Sequence, residues 1–228
     1  MSKTSIPEGP RADTRRILAV HRMYRREFGL LPALVRGVKA GDRERAQIVA
    51  DHVQLMSSFL HEHHSIEDEF MWPKLLSRGS EEARDVGHLM EDQHLGITNG
   101  VEEMETRLQA WRDSAASQQG PALTEALDRL MTTLLDHMKV EEERALPMVE
   151  TYMTADEWEQ MGATVVSRMP PEQLTLTVGM VMNANLNLGD AGDAPAAVPT
   201  TINDTALEAY TAYARRIHGT ATTPRTSG

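Results

Sequence analysis

The 228-residue sequence contains no cysteine. This absence excludes disulfide bonds, thiolate metal ligands, iron–sulfur clusters and cysteine nucleophiles. Aromatic residues are also scarce, at 4% of the chain, whereas there are 14 methionines, and this balance favours helices over an aromatic-rich β-sandwich. Because thiolates are missing, any bound metal must use imidazole and carboxylate ligands, and the nine histidines are the first candidates.

Long apolar runs and an excess of basic residues are missing too. No stretch approaches the roughly 18–20 apolar residues that span a bilayer, so we expect no membrane partner. The formal net charge of −11 argues against a nucleic-acid partner, since proteins that bind a phosphate backbone carry a basic surface. No apolar signal-peptide segment follows the arginine pairs near the N-terminus, and we expect a cytoplasmic protein.

Apolar residues recur at three- and four-residue spacing in four long segments, which begin near residues 11, 43, 81 and 121. Pro32 is expected to kink or interrupt the first of them. Four long helices with short connections predict an all-α protein, an up-down-up-down four-helix bundle with a short helical C-terminal extension. The expected divisions are a disordered N-terminus (1–11), the bundle (12–153), the extension (154–218) with a flexible loop (188–203), and a disordered tail (219–228).

An internal repeat contains the candidate metal-binding residues. His63 and His137 lie 74 residues apart, and Glu67 and Glu141 are separated by the same distance, as are two prolines six residues further on. Two more histidines, His21 and His94, lie 73 residues apart. Each half of the first 153 residues is therefore a helical hairpin, with one histidine on its first helix and a His-x-x-x-Glu motif on its second.

The His-x-x-x-Glu spacing has a physical reason. Residues four apart lie about 40° apart on one face of a helix, so both side chains address a common point. Two such hairpins, packed about a pseudo-twofold axis, deliver four imidazoles and two carboxylates to the bundle centre. A carboxylate has two oxygens and can bridge two ions, so the pattern predicts a dinuclear site with Glu67 and Glu141 as bridges. A ligand set without sulfur favours iron or manganese over copper.

These motifs resemble those of the hemerythrin-like, or HHE cation-binding, proteins, over about residues 12–153. The resemblance rests on His21, His63-His64-x-x-Glu67-Asp68, Trp72-Pro73, His94, His137-x-x-x-Glu141-Glu142 and Pro147. It implies two carboxylate-bridged non-haem iron ions, ahead of manganese or zinc, and a small diatomic or peroxide ligand. The metal ligands that it implies are His21, His63, Glu67, His94, His137 and Glu141. The C-terminal part resembles an extension seen in actinobacterial members.

One position departs from the family pattern. Oxygen-carrying hemerythrins have a His-x-x-x-His motif on the third helix, whereas Met90 and Thr98 stand four residues before and after His94 here. The fifth imidazole is therefore expected to be missing. Glu91 is the first candidate to replace it, and Tyr24, one turn after the first histidine of the repeat, is the second.

Other histidines and acidic residues near the motifs are assigned lesser roles. His64 is expected beside the metal ligands or at the surface, and Glu142 competes with Glu141 as the bridge from the fourth helix. His52 lies too far along its helix to join the same ions and is expected to line an access path at most. His218 is expected to have no functional role.

A coordination sphere without the fifth imidazole favours turnover over reversible carriage, because an exchangeable position can bind substrate. The leading hypothesis is a di-iron protein that binds and turns over O2, H2O2 or NO, with catalase-like or peroxidase-like activity. One alternative is a sensor or store for O2, NO or iron without turnover. Ranked lower is an oxidase of an organic substrate, which would need a pocket between bundle and extension.

Overall fold

A computed structural model describes residues 6–114, 119–186 and 198–220. The described residues are mostly helical and contain no β-structure beyond one isolated bridge, which confirms the predicted all-α class. The helices are α1 (Arg15–Arg36), α2 (Arg43–Phe70), α3 (Trp72–Arg78), α4 (Glu81–Ser114), α5 (Gln119–Val140), α6 (Leu146–Tyr152), α7 (Ala155–Arg168), α8 (Pro171–Asn185) and α9 (Thr200–His218), with a π-helical turn (Glu141–Ala145) between α5 and α6.

Side-chain caps fix two of the helix starts. Asp42 accepts a hydrogen bond from the backbone N–H of Arg45 at the start of α2. At the start of α7, Thr154 and Glu157 form a reciprocal capping box. The predicted interruption at Pro32 does not occur, because α1 continues through this residue to Arg36.

The regular helix is interrupted after the first His-x-x-x-Glu motif and within the second, and a repeated proline follows each interruption. α2 ends at Phe70, and Pro73 lies in the first turn of α3. In the second half the chain passes through the π-helical turn, and Pro147 lies in the first turn of α6. Proline lacks a backbone N–H, so it is tolerated in the first turn of a helix, where both of these residues lie.

The four long helices enclose two apolar clusters that are separated by a polar layer. α1 packs on α2 and α5, and α4 also packs on α2 and α5. One cluster includes Phe28 and Leu60, and the other includes Trp72 and Met90. Along each long helix the chain passes from one cluster to the other at buried polar residues, namely His21 on α1, His64 and Glu67 on α2, His94 on α4 and His137 on α5.

The C-terminal helices complete both clusters, because Met180 and Tyr210 belong to the first and Trp158 belongs to the second. α7 contacts α2, α8 lies on α1, and α9 packs on α8 and α2. Near the N-terminus, the backbone carbonyl of Pro10 accepts a hydrogen bond from the backbone N–H of Ala155. Residues 6–11, which belong to the segment predicted to be disordered, are among the described residues. Most of the predicted 188–203 loop lies outside the described residues, as does 221–228, and α9 begins at Thr200.

None of the described helices combines the length and the apolar character that a membrane crossing requires.

The close approach of α8 to α9 can be tested at Gly179. A Cβ atom added there would lie 2.2 Å from the carbonyl oxygen of Ala206, which is backbone and cannot yield as a side chain would. We expect Gly179→Ala to lower the free energy of unfolding by about 1–3 kcal/mol, measured by urea denaturation. Gly96→Ala is the matched control, because Gly96 is exposed, helical and has open space around it. The control should gain about 0.5–1 kcal/mol of stability. Equal stability of both variants would contradict this packing.

Candidate metal centre

Glu67 lies in the middle of the polar layer and faces two of the repeated histidines, His63 and His94. Its side chain is 1% exposed. Its Oε1 is 3.2 Å from Nε2 of His63, and its Oε2 is 3.4 Å from Nε2 of His94. The two oxygens thus point at different imidazoles, as a bridging carboxylate requires.

Glu141 occupies the corresponding place in the second half. Its Oε2 is 3.2 Å from Nε2 of His21 and 3.5 Å from Nε2 of His137, and its side chain is fully buried. Glu142, the alternative that the sequence left open, lies elsewhere: its Oε1 is 2.8 Å from Nδ1 of His21, on the far side of that ring. The structure therefore brings together all six residues predicted as ligands, and it places Glu141 rather than Glu142 at the centre.

A fifth imidazole, that of His64, joins the group. His64 is 6% exposed, its ring stacks on that of His94 with centroids 4.1 Å apart, and it meets the ring of His137 edge-on at 5.0 Å. Ligand atoms of His64, Glu67, His94 and His137 lie within 4.8 Å of one another, as do those of His21, His63, Glu67 and Glu141. We expected His64 beside the ligands or at the surface, with ligation as its less favoured role, and its ring lies within this donor group.

The periodicity of α2 explains the position of His64. Successive helical residues are about 100° apart, so Glu67 lies about 40° from His63, in the sector between His63 and His64. If Glu67 faces the bundle axis, the two histidines lie on either side of it, and each can reach a different ion. This signal is present in the sequence. Met138 stands at the corresponding position of the second half, so the two halves differ here.

The two residues suggested as replacements for a missing ligand are engaged elsewhere. The hydroxyl of Tyr24 donates a hydrogen bond to the carbonyl of Phe59 at 2.8 Å. Glu91 pairs with the exposed ring of His88 at 3.1 Å on the outer face of α4. The side chain of Glu91 is 42% exposed, so its carboxylate points away from the centre.

The donor atoms fit metal ions better than they fit one another. Within the described part of the chain, seven buried nitrogen and oxygen atoms of this cluster have no hydrogen-bond partner. They are Nε2 of His64, His94 and His137 and both carboxylate oxygens of Glu67 and Glu141. Each such atom costs about 1–3 kcal/mol when left unsatisfied. Ligands at about 2.1 Å from a tetrahedral ion are about 3.4 Å apart, which is close to the separations seen here.

A profile of the hemerythrin HHE cation-binding domain matches residues 12–149. The chain belongs to this family. No significant match was found among curated proteins or among solved structures. The match to the hemerythrin HHE domain extends from before α1 into α6 and leaves α7, α8 and α9 outside it. This family binds metal cations, and the buried histidine and glutamate groups are able to hold them.

The repeat of this hemerythrin domain extends to the residues behind the ligands. Asp68 follows Glu67, and its Oδ1 lies 2.6 Å from Nδ1 of His94. Glu142 follows Glu141 and contacts Nδ1 of His21 in the same way. A carboxylate that accepts the Nδ1 proton fixes the tautomer and orients the ring, so Nε2 is left to bind a metal.

Two further contacts of this kind were not identified from the sequence. Oε1 of Gln93 lies 3.1 Å from Nδ1 of His137. Arg25 donates a hydrogen bond to Glu142 at 2.7 Å and so holds that carboxylate in place. Neither residue belongs to a motif, because each acts on a residue of a different helix.

Burial and the neighbouring carboxylates act on the imidazoles in opposite directions. Desolvation by itself lowers the pKa of His21, but Glu141 and Glu142 outweigh it and raise this pKa to about 9. The pKa of His94 is raised to about 9 in the same way, because Asp68 and Glu67 outweigh the burial. Without metal, these two imidazoles are therefore protonated at pH 7.

The remaining imidazoles are neutral. Burial lowers the pKa of His63 to about 3 and that of His137 to about 4, and it places the pKa of His64 well below its ordinary value. Burial and the charge of Glu141 raise the pKa of Glu67. Protons on two histidines thus offset the carboxylate charge until a metal ion replaces them.

Metal uptake by this hemerythrin domain should release protons. Since the pKa values of His21 and His94 are raised to about 9, each ring must lose a proton before Nε2 can bind an ion. We expect about two protons to be released at pH 7 when Zn²⁺ fills the centre, and the affinity to fall as the pH drops from 9 towards 6. Calorimetry in buffers of different ionisation enthalpy counts these protons, and release of none at pH 7 would contradict the assignment.

Glu142 should support the centre without binding metal. Glu142→Gln weakens the hydrogen bond that orients His21, and we expect the metal affinity to fall about 10- to 100-fold in chelator competition. Glu143→Gln is the matched control, because Glu143 is the next residue and is exposed. Equal affinities of the two variants would show that Glu142 does not position the ring.

Proposed function

We propose that this protein is a dinuclear non-haem iron protein that binds and turns over a small oxidant, O2, H2O2 or NO. The observation that carries the proposal is that Glu67 and Glu141 each face imidazoles of both donor groups. One ion would be held by His21, His63, Glu67 and Glu141, and the other by His64, His94, His137 and the same two carboxylates. Bound iron would supply the redox chemistry.

Iron is proposed ahead of manganese or zinc. The centre offers only imidazole nitrogen and carboxylate oxygen, a ligand set that suits all three metals but disfavours copper(I). Two shared carboxylates place two cations close together, and the family match supports a cation-binding role without specifying the ion.

The ligand positions also support the proposed up-down-up-down course of the long helices. His21 lies near the start of α1, and His63 lies near the end of α2. His94 lies in the first half of α4, and His137 lies near the end of α5. For the four histidines to meet at one level, successive long helices must run in opposite directions.

The two ions would have unequal coordination. The group around His63 has two imidazoles, whereas the group around His94 has three because His64 has no counterpart in the second half. A metal with fewer protein ligands keeps an exchangeable position for a small molecule. We therefore expect the oxidant to bind at the ion next to His63.

An apolar cavity of about 270 Å³ leads to this side of the centre. Tyr24, His63 and Glu67 line its inner end, and Met161 and Val178 of the C-terminal extension line its outer part. O2 and NO are small and weakly polar, so such a cavity suits their passage. The apolar lining would also keep bulk water away from the exchangeable position.

A second cavity of about 590 Å³ adjoins the first at Phe59, Glu62 and Met169, and the polar side chains of His64, Asp68 and His94 form part of its lining. It would give water, protons and H2O2 a route to the other ion. Asp68 accepts the Nδ1 proton of His94 and so keeps this ring oriented at the edge of the cavity.

Metal analysis tests the dinuclear assignment. We expect two iron ions per chain in protein purified aerobically, and fewer than one in Glu67→Ala, because both ions share this carboxylate. His61→Ala is the control, since His61 lies on the same helix but is exposed, and it should keep both ions. Iron-free wild-type protein that takes up no added iron, or a full complement of iron in Glu67→Ala, would overturn the proposal.

A peroxide assay separates turnover from binding. If the protein turns over its ligand, the iron-loaded wild type should consume H2O2 in proportion to its iron content, and Glu67→Ala should lose this activity. Absent consumption together with tight, reversible O2 or NO binding would instead support a sensor or store.

The apolar cavity favours a second candidate, oxidation of an organic substrate. It lies between the bundle and helices α7 and α8, where such a substrate would have to bind. Its volume lies just below the roughly 300–1,000 Å³ typical of ligand sites, so the substrate would be small and apolar. Incorporation of oxygen into, or dehydrogenation of, such a compound by iron-loaded protein would distinguish this activity from peroxide consumption.

A further inference from the structure

A second group of metal-binding side chains lies at the opposite end of the bundle interior. Glu27 of α1, His52 of α2 and His218 of α9 converge there, and their side chains are at most 2% exposed. We propose that these three residues form a separate site for one divalent transition-metal ion, which fastens the C-terminal helix to the bundle.

The separations fit a common ion. Oε2 of Glu27 is 3.6 Å from Nε2 of His52 and 3.5 Å from Nε2 of His218, and all three ligand atoms lie within 4.8 Å of one another. These distances are long for N–H···O hydrogen bonds. They agree with the about 3.4 Å between ligands that lie 2.1 Å from a tetrahedral ion.

Each of the two imidazoles has an Nε2 atom near the carboxylate of Glu27. Nε2 of His52 and Nε2 of His218 are buried and have no hydrogen-bond partner within the described ranges. A divalent ion would satisfy both nitrogens and would balance the carboxylate charge.

Tyrosines of α9 hold two of the ligands in place. The hydroxyl of Tyr213 lies 3.0 Å from Nδ1 of His52, and the hydroxyl of Tyr210 donates a hydrogen bond to Oε1 of Glu27 at 2.9 Å. Burial raises the pKa of Tyr213 above its ordinary value, so its hydroxyl keeps its proton. Such outer contacts orient metal ligands, and both of them come from the helix that supplies the third ligand.

The C-terminal end of α9, which carries His218, is held against α2 by hydrogen bonds. Arg45 of α2 donates hydrogen bonds to the backbone carbonyls of Arg216 and Ile217, in the last turn of the helix. Gly219 ends α9 with a φ of 72°, a left-handed conformation that glycine adopts without strain. His218 is thus the last helical residue and is held against α2.

This group cannot share the ions of the first centre. His52 precedes His63 by eleven residues on the same helix, which corresponds to about 16 Å of helix rise. The two sites are therefore independent, and the second one would not take part in the proposed redox chemistry.

The donor set indicates which metals would bind and what they would do. Two imidazoles and one carboxylate suit Zn²⁺, Co²⁺ or Fe²⁺. Because the ligands come from three different helices, the ion would cross-link α9 to α1 and α2. Metal binding would therefore stabilise the docking of the C-terminal extension.

The test compares full-length wild type with His218→Gln, using Co²⁺ and Zn²⁺ as probes. Glutamine preserves a hydrogen-bond donor towards Glu27 but is a poor metal ligand. We expect His218→Gln to bind one equivalent of Co²⁺ less than wild type after dialysis. His88→Gln, which changes an exposed histidine, should bind as many ions as wild type. The expected difference in bound Co²⁺ between wild type and His218→Gln is one equivalent, whatever number of ions the first centre binds. The test of the second site therefore does not depend on the outcome for the first centre.

Hydrogen exchange provides a second measurement. Zn²⁺ should slow backbone exchange in residues 200–218 of wild type and of His88→Gln, but not in His218→Gln. If circular dichroism shows that His218→Gln does not fold, Glu27→Gln replaces it in both measurements. This substitution keeps the side-chain volume, and we expect it to bind one equivalent of Co²⁺ less than wild type. Equal Co²⁺ counts in wild type and in a folded variant, or equal Zn²⁺ protection of α9, would overturn the proposal.

Discussion

Two carboxylates buried at the centre of a helical bundle impose the main constraint on this protein. Glu67 and Glu141 are removed from water, and a buried charge costs several kcal/mol unless a cation compensates it. In the absence of metal, protons on His21 and His94 provide that compensation. Most of the surrounding polar residues either face the two carboxylates or orient the rings that do. The centre is thus arranged for positive charge, which metal ions supply more fully than protons.

The rest of the fold accommodates this polar layer. The apolar core is divided into two clusters, and the regular helix is interrupted close to both glutamates, with a proline after each interruption. The C-terminal helices lie outside the family match, but they are part of the functional surroundings. α7 and α8 close the apolar cavity beside His63, and α9 carries His218 to the proposed second metal site. The extension therefore lines the cavity beside the first centre and supplies one residue of the proposed second site.

Local geometry explains why so much of the centre was predictable. The His-x-x-x-Glu spacing puts two donors on one face of a helix, and its repetition at the same separation indicates a shared centre without reference to tertiary structure. Spacing within one helix is less informative about side chains outside the repeated motif. Glu91 was proposed as a substitute ligand from its angle to His94, but it pairs with His88 at the surface. Gln93 carries no motif at all, although it contacts His137.

The sequence by itself determined the all-α class, the duplicated hairpin and the six donors that converge, because helical periodicity is a property of each segment alone. Only the tertiary structure decided that His64 faces the centre, that Glu141 rather than Glu142 lies there, and that His52 and His218 meet at Glu27. These outcomes depend on how far each helix is rotated towards its neighbours and on where the ends of distant helices pack. Both are set by the fit of apolar faces across the whole molecule, which spacing within one segment does not encode.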